Sequence, residues 1–86
     1  MADRASPQVL AALRETLAQQ IANHDPPETA ATFARLRAEG IAEDVIWRLL
    51  SAVLLQEMAV IIGEERPFDR AAYVAALHRL PALADP

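Results

Sequence analysis

The side chains that could do chemistry are few and scattered. The chain has two histidines, His24 and His78, and no cysteine. Neither histidine belongs to an H-x-x-x-H or E-x-x-H pair, the spacings at which a helix presents two ligands to one ion. No metal site is expected, and none of the usual cofactor motifs occurs. The two glycines, Gly40 and Gly63, cannot build a phosphate-cradling loop. Ser6 and Ser51, the two serines, lack the strand-to-helix elbow that activates a nucleophilic hydroxyl. What remains is Glu57, a carboxylate that helical periodicity places near Leu50 and Ile46 rather than on a polar face. One reading makes it a boundary group paired with Arg14 on the first helix. The other makes it a buried acid with a raised pKa, serving with Arg14 and Gln20 as a small polar site.

Composition narrows the partners. Net charge is −4, and the eight basic residues, all arginine, form no tract. An acidic chain without a basic stripe cannot neutralise phosphates, so nucleic acid is not an expected partner. The opening Met1-Ala2-Asp3-Arg4-Ala5 leads into no apolar stretch, and a bacterial cytoplasmic location is the expectation. Hydrophobic residues make up 53% and aromatic ones 5%, so the core must be aliphatic. With 86 residues and no disulfides, helix packing and oligomerisation are the available sources of stability.

Four helices can position these groups. Ser6-Pro7 caps the first, over about 7–23, with Leu10, Leu13, Leu17 and Ile21 as its apolar stripe. The second, about 26–39, is expected to start from an Asp25 cap with Glu28 completing a capping box. Ala30, Phe33 and Leu36 face inward, and Gly40 followed by Ile41 forms a Schellman-type stop. The third covers about 43–62, with Gly63 beyond its end. The fourth, about 70–80, follows an Asp69 cap with a Phe68–Tyr73 staple. Residues 1–5 and 82–86 are expected to fray. Short connections predict an all-α, compact antiparallel four-helix bundle forming one domain.

The third helix is apolar almost all round. At about 100° per residue, Ile46, Leu49, Val53 and Val60 form one stripe. Trp47, Leu54, Met58 and Ile61 form a second nearly opposite, with Leu55 and Ile62 beside it. Either the helix is wrapped by its three neighbours, or the second stripe packs on a symmetry mate, another protein or an apolar ligand. A membrane span is disfavoured, because Arg48, Gln56 and Glu57 interrupt the segment. A helix-turn-helix outline around Gly40 is also disfavoured: the would-be recognition helix opens with Glu43 and Asp44 and continues aliphatic. The leading expectation is a non-catalytic, homodimeric protein-interaction or scaffold module whose interface is Trp47, Leu54, Met58 and Ile61. The rival is a small-ligand or residual enzymatic site lined by Arg14, Gln20 and Glu57.

Over about 6–80, Ser6-Pro7, Gln20, Pro26-Pro27, Gly40, Glu57 and the run from Phe68-Asp69-Arg70 through Tyr73 to Leu80 resemble an uncharacterised bacterial family of small helical domains. Its members open with Asn-Pro and two histidines four residues apart, and carry another histidine near the start of the long helix. Here Leu10 and Arg14 answer to the paired histidines, and Trp47 lies near the third. The resemblance implies a helical fold and no particular activity. Any polar site those histidines make is, in this chain, filled by apolar volume.

Overall fold

The computed structural model describes residues 6–83. Four helices follow one another: α1 (Pro7–Asn23), α2 (Pro27–Ala38), α3 (Glu43–Glu64) and α4 (Arg70–Arg79). The fold is an all-α four-helix bundle. The expected fraying of 1–5 and of 84–86 lies outside the described residues. Ala82, expected in the tail, instead donates its N–H to the Arg79 carbonyl at 2.9 Å.

Local chemistry explains most helix ends. The Ser6 hydroxyl accepts the Val9 N–H at 3.2 Å, and Pro7 opens α1, where no N–H is needed. At the end of α2, Gly40 has φ 89°. Its N–H reaches the Arg37 carbonyl, and the Ile41 N–H reaches that of Leu36. These are the two bonds of a Schellman motif. The Asp69 carboxylate accepts from Ala72, and Phe68 meets Tyr73 edge-on at 5.5 Å, the expected staple.

Two ends differ from expectation. The second helix does not start from Asp25. Pro26 stands before Pro27 and is therefore excluded from the α region; it is extended (ψ 149°) and caps α2 without a side-chain bond. The Asp25 carboxylate lies 3.4 Å from Arg70 instead. Nor does α3 stop at Gly63. It runs on to Glu64, and Glu65 takes the left-handed conformation (φ 52°) two residues before Pro67.

The core is aliphatic around one tyrosine. Leu13 and Leu17 from α1, Leu36 from α2, Ile46, Leu50, Val53 and Leu54 from α3, and Tyr73, Leu77 and Leu80 close over each other. Helix α3 packs against all three others, whereas α1 and α4 have no close backbone approach. The Tyr73 side chain bridges that gap, its hydroxyl donating to Gln20 Oε1 at 3.0 Å. Leu10, expected in the core, is 48% exposed because it lies a turn beyond the covered part of α1. Thr29 and Thr32 are buried on α2, where only Ala30, Phe33 and Leu36 were expected to face inward.

Candidate functional site

Of the three residues proposed as a polar site, Gln20 and Glu57 both lie near Tyr73, whereas Arg14 does not join them. Gln20 lies near the C-terminal end of α1, where its side-chain oxygen accepts from Thr29 at 2.7 Å and from Tyr73 at 3.0 Å. This single acceptor ties α1 to α2 and α4. Burial raises the Tyr73 hydroxyl pKa. The nearby Glu57 charge adds to the shift. Tyr73 is thus a neutral donor at ordinary pH, suited to holding Gln20 rather than to giving up a proton.

Glu57 does not pair with Arg14. Its Oε2 accepts the Asp69 backbone N–H at 3.3 Å, and the residue is half-buried rather than sealed in the core. In a capping box, a glutamate at the third helical position accepts the cap residue's own N–H. The third position of α4 is Ala72, which has no acceptor. Glu57 supplies that acceptor from α3, so the box is completed across two helices. The far end of α4 is held the same way. Arg35 on α2 donates to the carbonyls of Leu80 at 3.0 Å and Leu77 at 3.2 Å, and also meets Glu39 at 3.1 Å. At 10 residues, α4 is too short to persist alone in water. Glu57, Gln20 and Arg35 fix its start, middle and end. Sequence reasoning missed Arg35: its partners are backbone carbonyls more than 40 residues away, and no local pattern marks them.

Arg14 sits elsewhere. Its guanidinium lies over the Trp47 ring, 4.8 Å from the centroid. The indole in turn meets Phe33 edge-on at 5.4 Å. The ring's negative face satisfies the cation at this distance, and among the described residues Arg14 has no carboxylate within ion-pair range. Arg14 and Trp47 form one wall of a groove of about 410 Å³ between α1 and α3. Leu10 and Leu13 line it from α1, and Ser51, Ala52 and Leu55 from α3; Asp44 and Arg48, paired at 2.9 Å, also border it. Gln20 and Glu57 are not in its lining. The groove offers apolar surface and an aromatic wall with cations beside it, but no nucleophile paired with a base.

The expected interface residues divide between inside and outside. Leu54 is 6% exposed and belongs to the core, touching residues of its own chain; it is withdrawn from the interface. Trp47 and Ile61 are half-buried, whereas Met58 is 42% and Ile62 74% exposed. The two stripes inferred from sequence were drawn without knowing where α1 and α4 would lie. With those helices in place, the uncovered apolar surface of α3 lies at Met58 and Ile62, with Leu55 half-buried beside it. By length and composition α3 could cross a membrane, with a mean hydropathy of 1.9 over its most apolar stretch. Only 28% of that stretch is buried, so the bundle interior does not account for all of its apolar character. No group of three or more histidine, aspartate or glutamate side chains that could hold a metal ion is present among the described residues. Compared with protein-family models, curated proteins and solved structures, the chain matches none.

Proposed function

We propose that this protein is a non-catalytic protein-interaction module of a bacterial cytoplasm, and that it takes an amphipathic helix into the groove between α1 and α3. The groove carries this reading. It joins an apolar floor (Leu13, Ala52, Leu55) to an aromatic wall (Trp47), and its charged neighbours Arg14 and Arg48 stand beside it. A helix laid in such a groove buries its apolar face and presents its polar flank to the cations. Gln20, Glu57 and Arg35 are instead committed to holding α4.

The test is a photo-reactive amino acid in place of Leu55, activated in cells of the native host. Cross-linking to a polypeptide, whether this chain or another, supports the reading. Cross-linking no stronger than from a reporter at the exposed Ala75 of α4 overturns it.

A further inference from the structure

A line of side chains along α3, from the buried floor of the groove (Ser51, 9% exposed) to the open Ile62 (74% exposed), has the spacing of a helix-pairing seam, and the geometry points to a second copy of this chain as its occupant. Ser51, Leu55, Met58 and Ile62 recur at intervals of four, three and four residues. That alternation keeps one line of side chains facing a partner helix. The two halves of the line differ in shape. Near Ser51 and Leu55 the surface is concave, being the groove beside α1. Near Met58 and Ile62 it is convex, since these side chains stand out from the bundle. A ridge and a groove on one helix can fill each other only if the second copy runs antiparallel, which places a two-fold axis across the seam. Leu55 then meets the partner's Met58, and Ser51 takes the partner's Ile62 into the groove.

Charge agrees with this direction. With the Arg48–Asp44 and Arg66–Glu64 pairs counted, the groove half keeps the positive charge of Arg14 and the ridge half the negative charge of Glu65. Antiparallel pairing in this register sets the groove half against the partner's Glu65. Parallel pairing would set each arginine beside its own copy and each glutamate likewise. This inference rests on the groove being an interaction surface and adds the identity and direction of its occupant.

The absence of cysteine allows a clean test. Ser51→Cys and Ile62→Cys chains are purified, then oxidised separately and as a mixture. The expected result is a disulfide-linked heterodimer from the mixture and almost none from either variant alone. Self-linking of Ser51→Cys would mean a parallel pair and overturn the proposal. Sedimentation equilibrium gives an independent readout. Ile62→Glu, at an exposed position that leaves the fold intact, should weaken association roughly a hundredfold. A wild-type chain that stays monomeric, with no mixed disulfide, also overturns the proposal. Cross-linking of the Leu55 photoprobe to another polypeptide in the host would then still stand for the interaction reading. A monomeric chain whose Trp47 emission shifts on adding decanoate would assign the groove to an anionic amphiphile.

Discussion

Two regions of this small bundle use polar groups in opposite ways. Around α4, three polar side chains from the other helices hold the helix in place. Gln20 accepts from Thr29 and Tyr73, Glu57 from the Asp69 N–H, and Arg35 donates to the last carbonyls of the helix. Around Trp47, the cation of Arg14 rests on an indole, the Arg48–Asp44 pair is largely exposed, and the apolar floor is open. A satisfied polar network gives rigidity and position, because unmaking any member leaves a buried group without a partner. An open apolar groove gives the molecule no such return within its own chain. The first region therefore reads as structure, and the second as surface kept for another molecule.

The contrast is broken most sharply by charge on α3. Leu54→Glu should unfold the chain, since it places a carboxylate in the closed core. Ile62→Glu, two turns further on, should keep the helical content of wild type; circular dichroism separates the two. If Leu54→Glu stays folded, the division of α3 into a core face and an open face is wrong.

Removing the pins of α4 should cost less and act locally. Arg35→Ala should destabilise by about 2 kcal/mol, the order expected for charge-assisted hydrogen bonds to backbone carbonyls. Hydrogen exchange should show faster exchange in α4 than in α1. Uniform loss of protection would mean that Arg35 does not act on α4 in particular. Gly40→Ala should cost about 1 kcal/mol in urea melts. The site has open space for a Cβ, so this cost comes from the positive φ alone.

The smallest effect concerns Tyr73, and it sharpens the comparison by pH. Tyr73→Phe should cost about 1 kcal/mol through loss of the bond to Gln20. In the wild type, burial raises the pKa of this hydroxyl in the folded state. A raised pKa means that the folded chain holds the proton more tightly than the unfolded one. The associated stability is therefore present below the unfolded value of about 10 and declines as pH climbs through the folded value. Because the chain has one tyrosine, ultraviolet titration of tyrosinate reads this directly. Alkaline melts of wild type should fall more steeply than those of Tyr73→Phe, and parallel curves would remove Tyr73 from the buried network.

Helix existence and most boundaries were legible because their causes are local. The Ser6 cap, the left-handed Gly40 with its two carbonyl bonds and the Phe68–Tyr73 staple each involve residues no more than five apart. Where two local rules compete, the backbone constraint sets the helix end. Asp25 has the chemistry of a cap, but Pro27 holds Pro26 out of the helix and moves the start by one residue. Gly63 resembles a terminator, yet helical hydrogen bonding continues past it until the turn before Pro67.

Long-range pairing was not legible. Arg14 and Glu57 suit each other in charge, but tertiary packing put one on Trp47 and the other on the α4 cap. The same holds for the apolar stripes of α3. Periodicity alone establishes that this helix has more apolar surface than one bundle face needs, because about 100° per residue is a property of the helix itself. Which side is covered depends on where α1 and α4 come to rest, and that is set by side chains distant in sequence. Composition and local pattern determined four helices, an aliphatic core and an excess of apolar surface on the third. Only the tertiary structure decided that Leu54 lies inside and Ile62 outside, because burial is a relation between helices rather than a property of one.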